Sequence, residues 1–332
     1  MRFGLSIIFT IVLFLPMTAS AQSLEGLGGA GAEAFSVSVS PQYPAPYSQA
    51  TVSLLSSLLE LTNSTMVASV NGREVYKGAV RPFSVTLNRA GSIANVKVTV
   101  SSGGTNYSRS ISIQPQDVVL IVEPLSSAPP LYPGKPFVPL GGSARVVAMA
   151  NLKDAGGGFS SQTGYSYEWT VDRVRIANSS GIGKSAIVVA SPLQYRVREV
   201  FVAVTNSSGS LVGGTTVSLT AMEPSVRVYE SDPLLGIRYD RALSDSYSIS
   251  GTEATLYAAP FSLPTTNGSP FIQWFLNGAA AQTGNSITMR PTGSGKGDAS
   301  LSLVASTGGP ATATANFSVS FGTKSGTNLF GL

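Results

Sequence analysis

Six charged residues fall within 16 positions in a chain of which only 11% is charged: Glu230, Asp232, Arg238, Asp240, Arg241 and Asp245. Tyr229, Tyr239 and Tyr247 are interleaved with them. Three kinds of chemistry suit such a set. Glu230, Asp232, Asp240 and Asp245 offer the hard oxygens that calcium prefers, although the ligand spacing of an EF-hand is absent. Mixed charge among aromatic side chains is also the composition enriched where proteins meet partners. The third reading is structural: a long connection between the first and second strands of a domain, bracing a domain junction through ion pairs. All three readings stay open from the sequence.

Catalysis is narrowed more sharply. The chain has no His and no Cys, which removes Ser-His-Asp and Cys-His constellations and ordinary zinc sites. Two carboxylates would suffice to hydrolyse a glycoside, but the 17 acidic residues form no cluster on a recognisable catalytic scaffold. A non-enzymatic protein is expected, with no cofactor apart from the calcium considered above at the junction of the second and third domains. Net charge is +4 with a pI near 9.3, and Arg and Lys reach only alternating pairs such as Arg173/Arg175 and Arg196/Arg198. Such pairs on strands are solvated rather than gripping phosphates, so no nucleic-acid partner is expected.

The elements that must position these residues are strands. Val67-Ala-Ser-Val-Asn71-Gly72, Glu168-Trp-Thr-Val-Asp172-Arg173 and Gln273-Trp-Phe-Leu-Asn277-Gly278 each alternate into a tight-turn dipeptide, with spacings of 101 and 105 residues. Alternating apolar residues that run into Asn-Gly signal a hairpin. Side chains alternate with period two, so Ala68, Trp169 and Trp274 share one inward position, and Val70, Val171 and Leu276 the next. Trp169, Trp274, Val171 and Leu276 are therefore expected in the core rather than stacking on sugars.

Downstream, three hairpins recur: Ala94–Ile113, Val200–Leu219 and Ala299–Phe321. Upstream, Ala50–Leu54, Ala144–Ala148 and Ala254–Ala258 repeat. Each block opens on an edge-like strand closed by proline, at Val37–Val39, Val119–Val122 and Val226–Tyr229. The Leu-rich stretch 52–61 reads as a strand running into a turn. These patterns predict an all-β chain of three tandem immunoglobulin-like sandwiches: domain 1 at 34–115, domain 2 at 116–223 and domain 3 at 224–322. A Gly-rich lead at 22–33 and a tail at 323–332 flank them.

Met1-Arg2, the apolar run Leu5–Met17 and Thr18-Ala19-Ser20-Ala21 predict a signal peptide at 1–21, cleaved before Gln22. That run is too short for the roughly 20 residues a membrane helix needs. The mature chain is expected outside the cytoplasmic membrane, in the periplasm, at the cell surface or free, without a transmembrane anchor. Without cysteines, each domain must rely on its apolar core.

Tyr167-Glu-Trp-Thr-Val-Asp172 followed by Val200-Phe-Val-Ala-Val-Thr-Asn-Ser-Ser-Gly209 resembles bacterial immunoglobulin-like and PKD-type modules. In these a strand tryptophan packs the core and a V-x-V-x-N-x-x-G hairpin closes the domain. Trp274 and the Ala299–Phe321 hairpin extend the resemblance to the third domain; the first has Ala68 in place of tryptophan. The PKD hallmark W-x-F-G-D-G is missing, which favours the general immunoglobulin-like label. Val228–Gly236 is also similar to exported proteins of candidate-phyla-radiation bacteria, over about the last two-thirds of the chain. The resemblance implies a spacer or adhesive module whose partner is another envelope or surface protein, or a glycan. Glycan or polymer binding is a second reading. A third is assembly of pili or secreted proteins, with Ala311–Phe321 pairing to client strands.

Overall fold

The computed structural model describes residues 34–322 except Leu131, Asn267 and 293–295. The expected signal peptide (1–21), the lead to residue 33 and the tail (323–332) lie outside the described residues. Small and β-branched residues alternate with polar ones, and the alternation becomes burial. Ala94, Val96, Val98 and Val100 are buried, whereas Asn95 and Lys97 between them are exposed. Among the described residues the only helical pieces are three 3-10 turns of three residues each.

The first sandwich sets the sheet β1-β2-β5 (Ser36–Ser40, Gln49–Leu55, Phe83–Thr86) against β4-β3-β6-β7 (Arg73–Ala79, Thr65–Val70, Ala94–Ser102, Thr105–Ile113). The second sets β13-β9-β8 (Ala186–Ala190, Ser143–Asn151, Asp117–Pro124) against β11-β10-β14-β15 (Val174–Arg175, Ser166–Val171, Val197–Thr205, Val212–Thr220). There β12 (Gly181–Ile182) also pairs with β10. The third sets β17-β16-β19-β22 (Gly236–Ala242, Ser225–Asp232, Ala254–Phe261, Ser286–Met289) against β18-β24-β23-β20-β21 (Ser246–Ile249, Thr312–Phe321, Gly297–Ser306, Phe271–Leu276, Ala279–Thr283). The chain is thus all-β and built of immunoglobulin-like sandwiches. By contacts it forms two compact units. Residues 34–40, 51–85 and 93–113 make one; residues 41–50, 86–92 and the chain from Gln114 onward make the other.

Three devices repeat. The turns Asn71-Gly72, Asp172-Arg173 and Asn277-Gly278 all hold both residues at positive φ, the hairpin conformation whose twist matches the strands. The Asx side chain of each turn then pins the neighbouring strand. Asn71 Oδ1 accepts from Asn95 N–H, Asp172 Oδ1 from Glu199 N–H and Asn277 Oδ1 from Ser300 N–H, each at 2.9 Å. Third, the fully buried Trp169 and Trp274 each direct Nε1–H to a backbone carbonyl, Lys184 O and Gly284 O, at 2.9 Å. An indole buried without such an acceptor would leave its donor unpaired, at a cost of about 1–3 kcal/mol.

The first sandwich has no tryptophan at this place. Ala68 is fully buried at the tryptophan position. The Leu87 N–H to Ser48 O bond sets β5 against β2 in the register that the Ser191 N–H to Gly142 O bond sets for β13 against β9. Phe83 then stands where Ile187 and Ile287 stand opposite Val146 and Leu256. Phenylalanine in place of isoleucine returns only a small part of the bulk removed at 68, and the Phe83 ring stacks on Tyr76 at 6.4 Å.

Two expectations about the core are corrected or qualified. Leu276 is 36% exposed, because the strand reaches the rim of the sandwich where its turn begins; Ile272 and Trp274 carry that face. Val171, at the matching place, is partly buried against its core.

Candidate interaction surface

The stretch 229–247 is not an irregular connection. After β16 the chain turns through Pro233-Leu234-Leu235, returns as β17 against β16, and crosses to the other sheet as β18, parallel to β24. Two strand expectations are corrected with it. β16 is not an edge, because β17 covers its outer side. Ala311–Phe321 is free for pairing only in part: β23 flanks Thr312–Phe321 on one side, and on the other β18 covers Ser318–Phe321.

The turn is built by one carboxylate. Asp232 Oδ1 accepts from Leu234 N–H at 2.7 Å and Leu235 N–H at 2.9 Å, an Asx turn. The Leu235 and Leu234 bonds hold the Asp232 carboxyl below the usual carboxylate range. Leu234 and Leu235 are consequently held outward, 94% and 72% exposed. Behind the turn, Arg238 forks onto both Asp240 oxygens at 3.2 and 3.3 Å, which lowers the Asp240 carboxyl and raises the guanidinium. Arg241 adds its charge beside Asp240.

The tyrosines serve structure. Tyr229, on the outer face of the sheet, stands opposite Tyr257 across the β16–β19 ladder. Tyr239 lies edge to face with both, at 5.2 and 6.3 Å between centroids, and Tyr229 is buried as a result. Rings committed to one another in this way offer no flat platform for a sugar. Tyr247, on β18, meets Glu230, on β16, so a hydrogen bond ties the two sheets. Burial first, then the charge and hydrogen bond of Glu230, push its phenol up to about 12.

The stretch also lies away from the joint between the second and third sandwiches. That joint is made by the segment after β8 and the loop after β19. Ser127 N–H donates to Leu263 O (2.8 Å), Ser262 N–H to Ser127 O (3.0 Å) and Thr265 N–H to Leu125 O (3.0 Å). Leu263 N–H bonds Ser127 Oγ, and Tyr132 meets Phe261 edge-on at 5.4 Å. Leu263 is fully buried there. β16 starts beside Phe261 and runs away from it, so the charged turn belongs to the opposite pole. The bracing role is corrected accordingly.

Of the four carboxylates considered for calcium, Asp232, Asp240 and Glu230 are engaged as described. Asp245 lines an open depression of about 440 Å³ with Asp298. Among the described residues no three His, Cys, Asp or Glu side chains are grouped to hold a metal. Also among them, no helix is long and apolar enough to cross a membrane. Sequence reasoning singled out the charges and tyrosines but missed Leu234 and Leu235, whose signal is the Asp-Pro before them.

No family model and no curated protein matches the chain. Solved structures similar to it include the three N-terminal domains of the Highly Immunogenic Outer Capsid protein of bacteriophage RB49. They share 13% identity over 87% of this chain and 99% of that one, with a TM-score of 0.25. The central fibronectin-III array of RIM-binding protein shares 9% over 85% and 93%, with a TM-score of 0.26. Fibronectin(III)-like modules of Clostridium thermocellum CbhA share 13% over 62% and 94%, with a TM-score of 0.23. Likenesses this distant carry no argument about role; the fold rests on the sheets themselves.

Proposed function

We propose that the chain is a non-catalytic exported protein, a structural spacer of sandwich modules that presents an adhesive surface on the third. The observation that carries this reading is the β16–β17 hairpin. It spends an Asx turn, an ion pair and a tyrosine ladder on holding two leucines in solvent, and exposed apolar tips on a rigid support mark binding sites. Export rests on the Met1–Ala21 pattern, and the absence of His and Cys supports a non-catalytic role. Glycan binding is disfavoured by the mutual packing of the tyrosines, and client-strand pairing by β18, which covers the last four residues of β24.

The test places a photo-crosslinking residue at Leu234 in cells, and in parallel at Tyr195, which is equally exposed at 94%. Discrete adducts from position 234 alone are expected, in the envelope or extracellular fraction. Equal adducts at both positions, or none at 234, would remove the binding surface. Mature chain confined to the cytoplasm would remove the exported role.

A further inference from the structure

Resting on the reading that this hairpin binds a partner, we propose that the partner is a second copy of the chain. The copy offers the loop after β2 of its first sandwich, residues 56–64, so that copies join head to tail.

The second and third sandwiches share a topological slot. In both, the first strand pairs with the second, the chain makes an excursion (in the third it first returns as β17 on the same sheet), and it then runs parallel to the last strand. The return is the Pro139–Met222 bridge in the second and β18 beside β24 in the third. The excursions, 125–138 and 233–245, therefore emerge at the same pole of their sandwiches. In the second sandwich the excursion is the joint described above, seated on the loop after β19. In the third it ends in Leu234 and Leu235, which nothing among the described residues covers.

The receiving side repeats as well. The loop after β19 is engaged through the buried Leu263. The loop after β9 is engaged inside the second unit by the segment 86–92: a Cβ on Gly91 would fall 2.3 Å from Asp154 O. Among the described residues the corresponding loop after β2 is not engaged in this way. Counting from the matched Ala50 and Ala254, Leu59 occupies the place of Leu263, and Leu58 is 62% exposed where Ser262 is buried. Beside this loop lies an open cleft of about 270 Å³, lined by Leu54, Leu61, Thr62, Val80, Arg81 and Pro82. An apolar tip thus has an apolar cleft of the matching topological kind, and Arg81, 4.8 Å over the Tyr76 ring, adds a cation to its lining for the acidic turn. A contact between two different surfaces does not close on itself and propagates as an open chain. An interface this small is weak, so assembly belongs to high local concentration.

Because the chain has no cysteine, single introduced cysteines report the contact directly. Full-length Leu234→Cys and Leu58→Cys chains, one carrying a mass tag, are mixed under a glutathione redox buffer. The mixed disulfide dimer is expected to exceed each homodimer by about tenfold, and Leu235→Asp in the Leu234→Cys chain to erase the excess. Statistical pairing, with the mixed dimer no more than about twice either homodimer, would overturn self-assembly. If photo-adducts at position 234 to another molecule persist in that case, the binding reading stands and only its occupant changes. If they too are missing, both fall.

Discussion

The second and third sandwiches are near copies inside and different at one pole. Each buries one tryptophan whose Nε1–H reaches a carbonyl, and each pins its last hairpin from an Asx side chain in a positive-φ turn. After the first strand they part. The second spends that segment on the joint with the third; the third folds it into an extra edge strand with two outward leucines. The interior of such a module is set by packing, which allows few solutions. An excursion at the pole answers only to what it must touch. The difference between the two excursions therefore reads as a difference in contact: one is covered within the chain and one is left uncovered among the described residues.

The largest effect should come from what the two share. Trp169→Ala and Trp274→Ala should each destabilise their own sandwich by about 3–5 kcal/mol. Calorimetry should show one transition moving in each variant; a variant that shifts both equally would break the picture of separate cores. The pole should split the pair. Leu263→Asp buries an unpaired charge in the covered joint and should cost about 3 kcal/mol or more. Leu234→Asp, at the uncovered counterpart, should stay within about 0.5 kcal/mol. Equal losses in denaturant titrations would mean that Leu234 is covered after all. A smaller contrast sits in the turns, where the third has Gly278 and the second holds Arg173 at φ +68°. Arg173→Gly should stabilise the second sandwich by about 0.5–1 kcal/mol, followed through Trp169 fluorescence in a Trp274→Phe background.

The last prediction concerns the Glu230–Tyr247 tie. The Tyr247 phenol is raised from 10.0 to about 12, so the folded state keeps a proton that the unfolded chain releases. Its contribution to stability is full below about pH 10 and is lost as pH rises through about 12. Burial also raises the phenols of Tyr43, Tyr167 and Tyr239, and in ultraviolet titrations of folded protein Tyr247 should ionise last. Glu230→Gln should bring it earlier but leave it above 10, because burial is the larger cause. A wild-type titration with every phenol ionising near 10 would remove the tie.

Much of the fold was legible because burial writes a period of two into the strands. The Asn-Gly and Asp-Arg turns, the positions of Trp169 and Trp274 and the final hairpins could all be read from spacing. β17 could not. Its residues Arg238, Asp240 and Arg241 are exposed, Tyr239 is still 39% exposed, and Ile237 and Ala242 are only partly buried, so a strand outside the core leaves no apolar alternation. Leu276 has the right parity for the core, but parity carries no information about the rim. The joint was hidden for another reason: Ser127 and Leu263 lie 136 residues apart, and Ser262 takes a positive φ that serine does not advertise. The place of Phe83 opposite β2 needs the register of β5 before it can be seen. At the candidate surface, composition pointed to the right stretch and to the wrong actors. The charges and tyrosines form the support, and the leucines between them are what is presented.

The parallel pairing of β18 with β24 has a mechanical consequence. The chain enters that ladder at Ser246 and leaves it at Phe321, at opposite ends of four paired residues. Tension drawn through the protein would slide the two strands past each other and load their bonds together, instead of peeling them one at a time. The second sandwich has a single parallel bridge at this place, Pro139 to Met222, flanked by the Leu140 and Met222 N–H bonds. Under a steady pull it should yield first, paying out chain while the third module holds its hairpin in place. Stretching single molecules from both ends should resolve this as two rupture forces, the lower removed when the second sandwich is already open.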